Sequence, residues 1–158
     1  MIDAVRRLLL LLVLLAPPAA AGFEEGVDAY LRGEYERAVR EWRPLAERGH
    51  AQAAFNLGRM RELGEGGDDR DAAEWYREAA ERGHAEAQRA LGQLLADGDA
   101  AARTEAAFWF ILAARAWPAE SPARRYLDFQ LARLRTRLGD DELADAEARA
   151  AAWSPRRD

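Results

Sequence analysis

Two histidines, His50 and His84, are the first residues to consider for metal binding or acid–base chemistry, because the chain has no other imidazole. Each stands in the same local sequence, Ala-Glu-Arg-Gly-His-Ala, at positions 46–51 and 80–85. If the two copies of this sequence belong to neighbouring helical units, their equivalent positions lie at least one helix-packing distance apart, about 8–10 Å. Zinc–nitrogen bonds are only about 2 Å long. We therefore expect these side chains to cap turns rather than to share a metal ion.

Residues suited to nucleophilic catalysis are scarce. The chain has no cysteine and all 23 of its basic residues are arginine, so neither a thiolate nor a lysine amine is present. Ser121 is followed by Pro122, an order typical of a helix N-cap and the first helical position. No pair of carboxylates is set apart by its spacing from the solvated charges of helix faces. We predict no catalytic, cofactor-binding or metal-binding residues.

The first 21 residues resemble a targeting segment. Arg6 and Arg7 precede an apolar run from Leu8 to Ala16, and small residues at 19–21 follow a pair of prolines. A membrane span needs about 20 apolar residues, so this run is too short, and its order is typical of a secretory signal peptide. We predict cleavage near Ala21 and a periplasmic or secreted mature protein, with no membrane association beyond export.

The charge of the chain argues against nucleic acid as a partner. The formal net charge is −5, and loss of two arginines and one aspartate with the signal peptide would change it to −6. Proteins that bind duplex nucleic acid normally carry a basic surface that releases counterions. The sequence leaves the oligomeric state open.

The chain repeats itself with a period of 34 residues. Residues 46–51 recur unchanged as 80–85, and the pattern around Trp75 and Tyr76 returns as Trp109 and Phe110 before it decays. Within each unit the apolar residues are three and four positions apart, as on one face of a helix. Glycines 49 and 83 suit the left-handed residue that closes a helix. A period of this length is typical of helical solenoids.

The pattern predicts eight helices and no strand. Their expected bounds are 23–32, 34–48, 50–63, 68–82, 84–97, 101–117, 121–138 and 140–153. We expect one domain over 22–153, with repeats at about 33–66 and 67–98, a degenerate repeat at 99–138, a capping helix at 140–153 and a tail at 154–158. Pro44 is expected to bend or loosen the last turn of its helix, because proline removes a backbone hydrogen bond.

Small and large residues recur together within the repeats. The small positions are Ala38, Ala72 and Ala106, and the rings are Trp42, Tyr76 and Phe110. We expect the alanines to let helices approach closely while the rings fill the space between them.

Residues 75–92 resemble the Sel-one-like (Sel1-like) repeat of the tetratricopeptide superfamily. Their pattern reads Trp-Tyr-Arg-x-Ala-Ala-x-x-Gly-His-Ala-x-Ala-Gln-x-x-Leu-Gly, and the resemblance covers about residues 23–117. The opening at Phe23 is similar to that of small exported bacterial members. The resemblance implies an all-α, right-handed α-solenoid of stacked antiparallel helix pairs with a C-terminal capping helix pair, and it implies protein partners.

The last two predicted helices carry opposite charge. Five arginines lie at 124, 125, 133, 135 and 137. Residues 140–153 contain five acidic residues and only one arginine. We expect these helices to pair with each other and to close the end of the solenoid, since terminal repeats must cover an apolar face. The alternative is attachment of the basic helix to an anionic membrane.

These observations favour a protein that binds another protein on the concave side of its solenoid. We expect Arg43 and Arg77, at equivalent positions, to contact an acidic partner, with Arg40 and Glu74 beside them. Ordinary solvated charges are the alternative interpretation of all four. The predicted function is a non-catalytic, exported adaptor or regulatory module.

A second function stays open. Sel1-like proteins whose helix pairs are stapled by cysteines have been associated with β-lactam binding or hydrolysis. The alternative is therefore a cell-wall-directed or β-lactam-directed hydrolase or binding protein, although this chain has none of those cysteines.

Overall fold

The computed structural model describes residues 19–67 and 70–157, and within these ranges it contains helices, turns and loops but no strand. The predicted signal peptide falls mostly outside the described residues. The helices are α1 Ala19–Leu31, α2 Tyr35–Glu47, α3 Ala51–Leu63, α4 Ala72–Glu81, α5 Ala85–Leu95, α6 Ala100–Ala114, α7 Pro122–Arg135 and α8 Asp140–Ala152.

Each helix from α1 to α6 packs against its neighbour in the chain. The helices therefore form a stack of neighbouring pairs around one continuous apolar core, which is how a solenoid buries faces that single units cannot. The all-α solenoid predicted from the sequence is confirmed.

A large ring in the first helix of each pair lies against a glycine of the preceding helix. The three contacts are Trp42 on Gly26, Tyr76 on Gly58 and Phe110 on Gly92. A Cβ atom on Gly58 would lie only 2.6 Å from the Tyr76 ring. Glycines of the preceding helices thus lie against the rings, while the expected role of Ala38, Ala72 and Ala106 stays a prediction.

The predicted caps are confirmed. The ring Nδ1 atoms of His50 and His84 accept hydrogen bonds from the backbone N–H groups of Ala53 and Ala87, each at 3.2 Å. The Ser121 side chain caps α7 in the same way. Gly49 and Gly83 have φ angles of 91° and 86°, the left-handed conformation that glycine adopts without penalty.

Two predicted helix starts are wrong by four residues. Helix α1 begins at Ala19 rather than 23, and α4 begins at Ala72 rather than 68. Helix α4 is delayed because Asp71 is its N-cap and forms a capping box with Glu74. Helices α6 and α7 each end three residues earlier than expected.

Pro44 does not shorten its helix. Helix α2 ends at Glu47, the position equivalent to Glu81 at the end of α4, which contains no proline. The same hydrogen bond closes the helix in both units. His50 N–H donates to Leu45 O at 3.0 Å, and His84 N–H donates to Ala79 O at 3.1 Å. The last turn is therefore not loosened, and the alternative that Pro44 bends the helix stays a prediction.

The C-terminal closure differs from the expected charged pair. Helices α7 and α8 each pack on α6 more extensively than on each other. Within the described residues one exposed ion pair, Arg135 with Glu147 at 3.5 Å, links them. Arg133 and Arg137 pair instead with Asp97, in the turn between α5 and α6, at 3.7 and 2.7 Å.

Candidate functional site

We call the side of α2, α4 and α6 that carries residues 40, 74 and 108 the first-helix face. This face is exposed to solvent at positions 40 and 74, in the first two units, and covered at position 108, in the third. Arg40 and Glu74 are exposed, whereas the equivalent Phe108 is 6% exposed. Phe108 is covered from α8, where the Arg149 guanidinium lies 4.8 Å above its ring. A partner can therefore reach this face at α2 and α4.

A groove along α2 forms the open part of the face. Its cavity of about 420 Å³ is lined by Glu36, Val39, Arg40, Arg43, Pro44 and Gly67. The lining is mostly apolar, with Arg40 and Arg43 contributing positive charge and Glu36 one negative charge. Burial of the apolar surface of such a groove would stabilise a complex with a partner. The charges would fix the orientation of that partner.

Arg77 lies in a second groove, of about 390 Å³, between α4, α6 and the C-terminal segment. Its guanidinium donates to the Glu105 carboxylate, which also accepts a hydrogen bond from Trp109 Nε1 at 3.1 Å. Burial alone would raise the pKa of Glu105, but these donors hold it below its usual value. Arg77 thus joins α4 to α6 in the free protein.

The four predicted contact residues divide into two pairs. Glu74 accepts a hydrogen bond from Asp71 N–H at 3.2 Å and so helps to cap α4, and Arg77 is engaged by Glu105. Arg40 is exposed and forms no ion pair with any described residue, and Arg43 lies half-buried beside it. The structure brings Arg40 and Arg43 together in the open groove.

The sequence reasoning missed the residues of the second groove. Glu105, Trp109 and Glu81 were visible only as parts of the repeat, and nothing marked Arg156 as a partner of Glu81. One signal was available: equivalent positions change from Arg40 and Glu74 to an aromatic residue at 108. Replacement of a charge by an apolar residue in the third unit indicates that another element covers it.

The opposite side of the solenoid contains polar and mixed grooves. One, of about 140 Å³, lies between α1, α2 and α3, and the other, of about 250 Å³, between α3, α4 and α5. In the latter, Tyr76 donates its hydroxyl proton to Glu62 at 2.7 Å, and burial raises the Tyr76 pKa. This bond orients the ring that packs on Gly58, so it serves the core.

Two features are absent from the described ranges. No group of three or more histidine, cysteine, aspartate or glutamate side chains there is arranged to hold a metal ion. No helix among those described is long and apolar enough to cross a membrane.

Comparison with solved structures identifies the fold. The crystal structure of c5321, a protective antigen present in uropathogenic Escherichia coli strains that displays an SLR fold, superposes with a TM-score of 0.65 at 26% sequence identity. The chain has the Sel1-like repeat fold. The match covers 84% of this chain but only 29% of that protein.

Other comparisons add nothing to this Sel1-like assignment. No protein-family model matches the chain, and neither does any curated protein sequence. Sel1-like repeats are generally non-catalytic scaffolds that bind proteins. The fold therefore supports a protein-interaction module.

Proposed function

We propose that this protein is an exported, non-catalytic adaptor or regulatory module that binds a protein partner on the open part of the first-helix face. The observation that carries the proposal is the difference between the units: the chain covers this face at α6 but leaves the α2 groove open. The apolar lining and the two arginines of that groove suit an acidic segment with apolar side chains.

The decisive experiment places a photo-cross-linker at position 40 of the mature protein and at position 89 on the opposite side. A partner that is cross-linked in the cell envelope from 40 but not from 89, and that binds again when purified, supports the proposal. Cross-linking from 89 alone would place the binding surface on the wrong side of the solenoid.

Charge reversal gives an independent test of the same surface. We expect Arg40→Glu with Arg43→Glu to abolish binding, because an acidic partner would then meet two carboxylates. The matched control is Arg59→Glu with Arg89→Glu, which makes the same change in net charge on the opposite side. Thermal unfolding of both variants checks that they remain folded.

Export and the absence of catalysis are tested separately. Mass spectrometry of the native protein is expected to show loss of residues 1–21. The purified mature protein is expected to turn over neither a chromogenic β-lactam nor dye-labelled peptidoglycan. Turnover abolished by a single carboxylate substitution would favour the hydrolase alternative and contradict the adaptor proposal.

A further inference from the structure

The last described residues fold back onto the solenoid as an extended segment. Helix α8 ends at Ala152, and residues 153–157 follow without regular secondary structure. This segment, which we call the tail, reaches the end of α4, where the Arg156 N–H donates to the Glu81 carbonyl at 2.8 Å. The carbonyls of a last helical turn lack partners within their own helix, so the tail supplies one from outside.

Three kinds of contact hold the tail. The Arg156 guanidinium pairs with the Glu81 carboxylate at 3.1 Å. A Cβ atom placed on Gly83 would lie 3.3 Å from Pro155 and 3.8 Å from Trp153, so the proline and the indole pack closely over this glycine. Backbone pairing, an ion pair and ring packing together form the chemistry by which protein surfaces recognise extended peptides.

The contacts that hold the tail are easily exchanged. The Arg156 side chain is 58% exposed and that of Glu81 34% exposed, and exposed ion pairs add little to stability. The tail also borders the second groove, beside Arg77 and Trp109. A segment of another protein with the same chemistry can therefore compete for this place.

We propose that Glu81 and Gly83 form a binding site for an extended segment of a partner in which a proline is followed by arginine, and that the tail occupies this site in the free protein. The proposal rests on the adaptor function above and adds a second point of contact. Such a partner would use the first-helix face at α2 and displace the tail at α4.

The test uses the full mature chain and a labelled peptide of residues 152–157, Ala-Trp-Ser-Pro-Arg-Arg. Arg156→Glu places two carboxylates together and releases the tail. If the tail is docked about nine-tenths of the time, its release is expected to tighten peptide binding about tenfold, since apparent affinity scales with the fraction of free sites. Hydrogen exchange at the residue 156 amide reports the release itself.

Charge exchange supplies the specificity control. Glu81→Arg is expected to abolish binding of the peptide and to bind a version in which glutamate replaces the first arginine. The matched control is Glu47→Arg, at the equivalent position of the preceding unit, which is expected to leave binding unchanged. A peptide with alanine in place of proline should bind more weakly.

Two results would overturn the proposal. One is a folded Arg156→Glu variant that binds the peptide no better than the parent. The other is concentration-dependent dimerisation through Glu81, which would assign the site to the tail of a second copy. If either result came together with cross-linking from position 40, the adaptor function would stand without this inference.

Discussion

At the scale of single residues, the spacing between helices depends on glycines that face large rings. Alanine in a helix is favoured over glycine by about 1 kcal/mol, but overpacking a core costs about 1–3 kcal/mol. The Tyr76 ring cannot easily move aside, because its hydroxyl is bonded to Glu62. We expect Gly58→Ala to lower the free energy of unfolding by up to about 2 kcal/mol, as measured by urea denaturation.

A second glycine provides the control for this substitution. Gly67 has no heavy atom within 4 Å of the position that a Cβ would take, so Gly67→Ala is expected to be neutral or slightly stabilising. If Gly58→Ala were as stable as the parent, the close approach of the Tyr76 ring would not determine the packing of α3 on α4.

A second prediction at this scale concerns the pH dependence of stability. Burial lowers the pKa of His84, while its Nδ1 accepts from Ala87 N–H and its Nε2 lies 3.0 Å from Gln52 Oε1. The folded state therefore favours the neutral ring. The stabilisation is fully present above the unfolded pKa of about 6.5 and is lost as the pH falls below it, because the unfolded chain then binds the additional proton.

His84→Asn tests this dependence while keeping an N-cap. The variant is expected to lose less stability than the parent when unfolding is compared at pH 7.5 and pH 5. The control is Ser121→Asn, which exchanges an N-cap that does not titrate, leaves His84 in place and should keep the slope of the parent. Equal slopes in all three proteins would show that His84 does not couple folding to protonation.

At the scale of elements, α7 is fixed at its C-terminal end by an anchor to the turn between α5 and α6. Arg137 donates to the Ala96 carbonyl at 3.2 Å and to Asp97 at 2.7 Å. We expect Arg137→Ala to speed hydrogen exchange in the last turn of α7 while α2 and α3 stay protected, since local opening follows local contacts.

Arg135→Ala is the matched control for this anchor. It removes an exposed arginine from the last turn of α7, two residues before Arg137, but breaks only the pair with Glu147 at 3.5 Å. Its exchange pattern should resemble that of the parent. Equal acceleration in both variants would mean that the contact with Asp97 does not hold the helix.

Comparison of elements also shows what the sequence could predict. The 34-residue period predicted the helix pairs and their caps, because each cap is a local interaction between residues three apart. The same reasoning did not predict where α8 docks. The opposite charges of the last two helices suggested that α8 pairs with α7. Instead, α8 packs its buried residues Ala146 and Ala150 into the core. Contacts between residues distant in sequence leave little local signal.

The candidate site shows the same limit. The repeat drew attention to Arg43 and Arg77 as equivalent positions, but equivalence in sequence did not give them equivalent surroundings. Arg77 is paired with Glu105 of the third unit, and the tail lies against Glu81. The chain itself therefore covers part of the second unit, whereas the groove along α2 in the first unit is open. Position in the stack, not residue type alone, therefore decides the surroundings of each arginine.

At the scale of the whole molecule, α8 closes the solenoid through its small side chains. Ala146 is fully buried, whereas Ala148 on the same helix is exposed. We expect Ala146→Glu to detach α8, because a buried carboxylate without a partner costs more than the helix contact provides. Detachment would uncover the aromatic surface of α6 around Phe108 and release the tail.

An uncovered apolar face at the end of a solenoid promotes association between copies. Light scattering coupled to size-exclusion chromatography should therefore show larger species for Ala146→Glu than for the parent, together with faster proteolysis after residue 139. Ala148→Glu adds the same charge to the outer side of α8 and should behave like the parent. If Ala146→Glu stayed as protease-resistant as the parent and did not self-associate, α8 would not be the cap of this solenoid, and α7 would have to protect the end of the core.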